Sequence, residues 1–393
     1  MAPKSEDKRL TEIDQAEFQV LLKEKLRLAV RLTMIAVLEE ELTEYLAAER
    51  YQRTCERQDE RNGYYTRNLD TSLGRIEALP VPRARRGFRT KLFKRYKRRQ
   101  MELDEAIGEM FVRGISTHQV GEVVASLTGQ RPSASTVSRV FHTLEGEFAE
   151  WKTRKLAEHY VYIFADGTYF SVIYDDEGCK MPVLALIGVD LEGNKTVLAF
   201  TVGERENQTA WEDLLDNVKN RGIQQVDLWI SDGNQATINA IETKFPSSQR
   251  QRCIHHKMDN VLSYIPKKKQ DELKPELRAI FYQDGREQAD QLVAAFCAKH
   301  EAAYPTAVAC LERDLEACLT FYSFPKKHWR SIRTNNAIER MFLEVKKRSK
   351  KMAAAFRNEN SCLLLFYAVT QTIKFRRIRM PDGFPASQKA HKN

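Results

Sequence analysis

A chain of 393 residues is long enough for two to three domains and a sizeable buried core. Its 63 Lys+Arg against 54 Asp+Glu leave a net charge of +9, which favours polyanionic partners and carries no information about fold. The longest strongly apolar stretch near the start, residues 32–38, is too short to span a bilayer, and the charged residues 1–9 lead into no signal-like segment. A soluble, cytoplasmic protein without a membrane partner is expected. Seven scattered cysteines with no Cys-x-x-Cys pair argue against a disulfide framework or a zinc ribbon, so the thiols are expected to be reduced.

Residues 18–49 read as one long amphipathic helix, because Phe18, Leu21, Leu22, Leu28, Leu32, Ile35, Leu38, Leu42 and Tyr45 recur at helical spacing. Such a stripe packs in a core or on a partner helix, a second copy included. Asn62-Gly63 breaks the pattern, and residues 71–81 around Gly74 read as a short hairpin. From 83 to 99 there are ten basic residues and no acid, interleaved with Phe88, Phe93 and Tyr96. That is the composition of a phosphate-tracking arm or of a solvated basic face; Arg85, Arg86 and Lys91 are its candidate DNA contacts. Residues 1–100 thus form a helical and basic region for DNA binding or dimerisation.

Residues 101–144 read as two or three helices punctuated at Gly114 and at 129–132. Their apolar stripes are Leu103, Ile107, Met110 and Phe111, then Ile115, Val120, Val123 and Val124, then Val137, Val140 and Phe141. The last helix opens Ser133-Ala134-Ser135-Thr136 and offers Ser135, Thr136, Ser138 and Arg139 on its exposed side, as a recognition helix in the major groove would. Residues 101–150 are therefore expected to be a helix-turn-helix-like DNA-binding domain.

Beyond His159 the pattern changes to short β-rich runs at 160–165, 169–174, 181–189 and 196–202, with turn sequences at 175–178 and 190–194. An antiparallel meander follows from them. A helix at 207–220, with Trp211, Leu214, Leu215 and Val218 inward, then leads to a strand at 226–230, which completes a mixed sheet. This is the order of an α/β, RNase H-like core, with its first part at 151–265. The β signal vanishes from 266 to about 325, so residues 266–328 read as an all-helical insertion, and 329–393 return to the core with basic helices.

Three acids stand out in this frame. Asp166 follows the apolar run 160–164 and precedes Gly167-Thr168; Asp232 follows 226–230 and precedes Gly233. Acids at the carboxyl ends of neighbouring strands lie at the rim of a sheet and can share a divalent cation. With Glu339 as a third ligand they would hold two Mg²⁺ ions about 4 Å apart for phosphoryl chemistry, Mn²⁺ substituting. Each acid also has a plain structural reading: Asp-Gly is a common turn, and Glu339 three residues after Asn336 resembles a capping box. Against that, Arg333, Arg340, Lys346, Lys347, Arg348, Lys350 and Lys351 crowd the Glu339 segment and repel one another unless an anion lies near, which marks them as DNA contacts. Cys253 and His256 could ligate zinc, although no second Cys/His pair is nearby; the alternative has Cys253 packing while His256 orients an acid or binds a phosphate. Trp329 reads equally as a core aromatic or a base-stacking platform.

Ala165-Asp166-Gly167-Thr168-Tyr169, Ser231-Asp232-Gly233, Gln251-Arg252-Cys253 with His255 to Val261, and Arg333-Thr334-Asn335-Asn336-Ala337-Ile338-Glu339-Arg340 resemble the signature blocks of bacterial Mutator-type insertion-sequence transposases. Arg61-Asn62-Gly63-Tyr64 and the segment 114–140 resemble the same family, so the similarity covers nearly the whole chain. The resemblance implies a catalytic DDE triad of Asp166, Asp232 and Glu339 in an RNase H-like fold interrupted by a helical insertion. It places Cys253 and His256 on the family's Cys-x-x-His element, and it departs at Asn335, where many relatives are expected to carry a second threonine. It further implies cleavage and strand transfer at the terminal inverted repeats of a mobile element, with target DNA as second substrate, by a homodimer or higher oligomer in the bacterial nucleoid.

Overall fold

The computed structural model describes residues 14–92, 101–112, 115, 117–128, 131–142, 144–174, 177–203, 207–351 and 359–381. Gly114, Gly129, Asp175, Asp176 and the basic stretch 93–99, all used above, lie outside the described residues. The chain divides between Thr143 and Leu144 into two compact units.

In the first unit, α1 (Gln15–Leu46) starts where the Asp14 carboxylate accepts the Glu17 N–H at 2.7 Å, and it stops at Ala47, whose φ is +50°. Its C-terminal half buries Met34 and Leu38 against Leu69, Ile76, Leu79 and Val81. Phe18, Leu22 and Leu28 of the expected stripe are instead exposed, because the hairpin covers only the second half of the helix, and Leu32 and Tyr45 are exposed within that half, off the buried line of Met34, Leu38, Leu42 and Leu46. That hairpin pairs β1 (Arg61–Thr71) with β2 (Gly74–Ala84), so it begins well before the expected 71–81. Asn62-Gly63 does not end the element: Gly63, at φ +67°, absorbs an irregularity between Arg61 and Tyr64. Three helices follow as expected, α2 (Met101–Val112), α3 (Thr117–Thr128) and α4 (Ala134–His142), around Leu103, Ile107, Val120, Val124, Val137 and Val140.

The second unit takes in α5 (Leu144–Thr153), whose Phe148 lies 5.8 Å from Phe200 and 5.3 Å from Tyr367. The sheet is formed by β3 (His159–Tyr174), β4 (Glu177–Val189), β5 (Lys195–Val202), β6 (Gln225–Ser231) and β7 (Gln249–Arg252), in the order β5-β4-β3-β6-β7. The first three are antiparallel neighbours; β6 and β7 run parallel to β3. The runs at 160–165 and 169–174 are thus one strand. The β4 ladder continues unbroken from Ala165↔Leu186 to Thr168↔Val183, and Gly167 keeps a negative φ, so Asp166 sits inside a strand and not at a turn. The short, polar β7 was absent from the sequence reading because Gln249-Arg250-Gln251-Arg252 shows no apolar alternation.

Connecting α6 (Gln208–Asn220) and α7 (Gln235–Lys244) cover one face of the sheet through Trp211, Leu214, Leu215, Val218 and Ile241, packed on Ile163, Ala165 and Trp229. After β7 come α8 (Ile254–Ser263), α9 (Lys267–Ile280), α10 (Arg286–His300), α11 (Pro305–Glu312) and α12 (Leu315–Leu319), with a joint core running from Ile254 to Leu319. The all-helical segment therefore starts at α8, earlier than the expected residue 266. Finally α13 (Lys326–Ile332), α14 (Asn336–Lys351) and α15 (Glu359–Thr372) return to the other face of the sheet: Tyr162 meets His328, Lys346 meets Thr168, and Phe170 meets Phe366. All seven cysteines are free. Among the described residues no helix is long and apolar enough to cross a membrane.

Candidate active site

Side chains alternate along a strand, so Asp166 projects to the same face as Tyr162, Thr168 and Phe170, the face covered by α13, α14 and α15. It is 7% exposed, and its Oδ1 accepts the Gly167 N–H at 2.9 Å. The parallel ladder between β3 and β6 closes at Phe164↔Ile230. Asp166 and Asp232 each lie two residues beyond that pair, Asp166 still within β3 and Asp232 just past the end of β6. There Asp232 leaves β6 through an Asx turn, its Oδ1 accepting the Asn234 N–H at 2.9 Å. Gly233 is required in this turn: φ is +92°, and a Cβ would lie 2.4 Å from Nε of Arg252, whose Nη1 is held by Asp314 at 2.9 Å.

Glu339 reaches this rim of the sheet through backbone ties from three distant segments. The Asn335 amide Nδ2 donates to the Ala165 carbonyl, one residue before Asp166, at 3.2 Å. The Asn335 N–H donates to the Cys253 sulfur at 3.3 Å, and the Cys253 N–H donates to the Ser231 carbonyl, one residue before Asp232, at 2.7 Å. Ile254 N–H to the Arg333 carbonyl, at 3.0 Å, is a fourth tie. Asn335 and Cys253 therefore dock the start of α14 beside both aspartates, with Glu339 in its first turn, where the helix dipole favours an acid. Asn335 rather than Asn336 caps the helix, since its carbonyl accepts from both Ile338 and Glu339 N–H, while Asn336 is exposed. The expected capping box is thus out of register by one residue, and the Glu339 Oε1 is buried with no hydrogen-bond partner among the described residues.

His256 stands next to this acid, its Nε2 3.8 Å from the Glu339 Oε1. Cys253 is fully buried, and burial pushes its thiol up to about 11. Trp329 is half-buried, donates to the Phe324 carbonyl at 2.7 Å and packs edge-on against Phe321 and Tyr322, which makes it a core aromatic. The basic residues of this segment divide. Arg333 is engaged in the fold, with its guanidinium 3.7 Å from the Tyr282 ring centroid and its pKa lowered by burial. Lys346 donates to Thr168 Oγ1 at 2.5 Å, two residues past Asp166. Lys347 and Arg348 both pair with Glu344, at 2.9 and 2.7 Å, so this acid relieves the repulsion expected among them. Arg340 is exposed.

In the first unit, Ser135 and Arg139 are exposed on α4, and Thr136 is half-buried in a local hydroxyl cluster centred on Ser133, which caps the helix. Arg85 is held by Glu60 at 3.0 Å, while the Arg86 and Lys91 side chains are exposed and their backbone N–H groups donate to Asp59 and Glu41. Asn335 as a docking residue was not foreseen. In the run Thr334-Asn335-Asn336 only tertiary burial distinguishes one amide from the next.

The chain thus comprises a mixed-sheet α/β unit that carries the three acids and a second unit with exposed basic and hydroxyl side chains on its helices. The sequence profile of the transposases of the Mutator family matches residues 1–377, and the chain belongs to that family. It is 34% identical over 345 residues to the transposase for insertion sequence element ISRM5 of Rhizobium meliloti, covering 88% of this chain and 86% of that one. The transposase for IS256 in transposon Tn4001 of Staphylococcus aureus is 32% identical over 85% of this chain and 86% of its own length. That for IS905 of Lactococcus lactis is 30% identical over 93% and 91%. A solved chain of the simian T-cell lymphotropic virus intasome in complex with a PP2A regulatory subunit aligns with 52% of this chain and 63% of its own, at 9% identity and a TM-score of 0.17, a likeness too slight to bear on the fold.

Proposed function

We propose that this transposase cuts the ends of an insertion sequence and joins them to target DNA through a DDE centre of Asp166, Asp232 and Glu339 on an RNase H-like core. The reading rests above all on the ties from Asn335 and Cys253 to Ala165 and Ser231, which bring three segments far apart in sequence to one rim of the sheet. The strand order β5-β4-β3-β6-β7 is the one expected of such a core.

The donor set fits hard divalent cations: three carboxylates, of which Asp166 is nearly buried and Glu339 keeps a buried oxygen without a partner among the described residues. Asp166 and Asp232 would hold Mg²⁺ or Mn²⁺ between them, with Glu339 completing a second position. The chemistry supplied there is activation of an oxygen nucleophile near neutral pH and neutralisation of charge on the phosphate and leaving oxygen. The protein's part is positioning. Lys346 against Thr168 and the exposed Arg340 offer positive charge to a DNA backbone, and Ser135, Thr136 and Arg139 of α4 read the terminal inverted repeats. Two ends must be held at once, which a homodimer or higher oligomer on DNA accomplishes.

Incubation with a pre-cleaved end, target DNA and Mg²⁺ tests this. Joined product is expected from the wild type, and Asp166→Asn should lower its yield on the order of 10³-fold with end binding and melting temperature unchanged. Cleavage without joining would identify a nuclease instead, and an unaffected Asp166→Asn variant would refute the centre.

A further inference from the structure

The sulfur of Cys253, an imidazole nitrogen of His256 and a carboxylate oxygen of Glu339 all lie within 4.8 Å of one another. In sequence, Cys253 and His256 look like half a metal site. The fold supplies the third ligand from the first turn of α14, far downstream. Cys253 opens α8 and His256 sits in its first turn, so both side chains leave the same helix end. The pair His256–Glu339, at 3.8 Å, is close to the ~3.5 Å that separates ligands around tetrahedral zinc at ordinary bond lengths. Cys253 is fixed by complete burial, whereas Glu339, its side chain 31% exposed, has three torsions with which to close the remaining ångström.

Two further observations mark these atoms as waiting for a ligand. Among the described residues the Glu339 Oε1 is buried without a hydrogen-bond partner, although a carboxylate oxygen in that position ordinarily finds a donor. The Cys253 sulfur accepts the Asn335 N–H, the kind of outer-shell donor that steadies a metal-bound sulfur. One sulfur, one imidazole and one carboxylate form a set that hard Mg²⁺ disfavours and Zn²⁺ accepts, with a fourth position left for water or a substrate oxygen.

We propose that Cys253, His256 and Glu339 form a site for one soft or borderline divalent cation, Zn²⁺ being the natural occupant, distinct from the all-oxygen set of Asp166 and Asp232 but sharing Glu339 with it. Binding exchanges the thiol proton for the metal–sulfur bond and releases it to solvent. The site has a consequence that rests on the function proposed above: a Zn²⁺ ion here draws Glu339 from the aspartates, so Zn²⁺ antagonises Mg²⁺-dependent joining.

Titration of the metal-free, full-length protein with Co²⁺ tests the site without any assay of activity. One equivalent should produce a near-ultraviolet sulfur-to-cobalt charge-transfer band and tetrahedral visible bands, and Zn²⁺ should erase both. The band should disappear in Cys253→Ser. In His256→Asn, altered at a residue more than a third exposed and so safe for folding, the affinity should fall at least ~10-fold. Asp166→Asn should bind as the wild type does. A wild type without the band, or a His256→Asn variant that binds Co²⁺ unchanged, overturns the site. Normal Co²⁺ spectra in a protein whose joining is indifferent to Asp166→Asn would overturn the DDE reading and leave the metal site standing.

Discussion

The rim of the sheet in the second unit and the α2 to α4 bundle of the first are built by opposite means. At the rim, the residues that join its segments are held by partners remote in sequence: Asn335 by Ala165, Cys253 by Ser231, Lys346 by Thr168. In the bundle, among the described residues, Ser135 and Thr136 bond to Ser133 within the same turn, and Arg139 is exposed on a helix held from behind by Val137 and Val140. Under the proposed function the two constructions suit two different tasks. Chemistry at a phosphodiester needs groups placed to within about an ångström, and that demands a rigid frame with several long-range ties. A groove-reading helix needs its side chains free to meet bases and phosphates, so only its buried face is constrained.

Breaking the rim should therefore cost far more than its contact list suggests. Asn335→Ala leaves the Ala165 carbonyl without its donor and frees the start of α14. We expect a loss of ~1–3 kcal/mol in stability, and a fall in joining on the order of 10²-fold although no acid is touched. Calorimetry alongside the strand-transfer assay measures both; an Asn335→Ala enzyme with full activity would show that α14 is placed by other contacts. His328 sharpens the same side of the comparison. Its Nε2–H donates to the Arg379 carbonyl at 2.9 Å, so the neutral ring's Nδ1 accepts the Tyr162 hydroxyl at 2.6 Å, and burial lowers its pKa. A depressed pKa means that its stabilisation is present above the unfolded value of about 6.5 and is lost as pH falls through the folded one. The melting temperature should drop below that pH, and His328→Gln should flatten the drop, as thermal scans between pH 7 and pH 5 would reveal. The smallest effect belongs to the bundle. Arg139→Ala should leave stability within ~0.5 kcal/mol while weakening end binding and reducing the salt slope by about 1 if it meets a phosphate.

Much of this molecule was legible from periodicity alone. The long first helix, helices within 101–144, the inward face of α6 at Trp211, Leu214, Leu215 and Val218, and the helical character of the chain after residue 266 were all expected from local sequence and are found in the fold. Local pattern suffices there because burial on one face imposes a repeat of 3.6 residues whatever the partner. The three acids were singled out in the same way, each by its own flanking residues, and their role belongs to the function proposed above.

What local pattern could not decide was how those acids are presented. Ala165-Asp166-Gly167 has the composition of a turn, yet it runs on as strand because β4 supplies an unbroken ladder beyond the end of β6. The sequence alone determined which residues can do chemistry and which faces are apolar, since both are properties of single side chains and their nearest neighbours. Only the tertiary structure decided that Asn335 rather than Asn336 caps α14, that Glu344 pairs with Lys347 and Arg348, and that a Glu339 oxygen lies within 4.8 Å of ligand atoms of Cys253 and His256. Each of those outcomes depends on a hydrogen bond or ion pair whose value appears only once water has been excluded from between its partners.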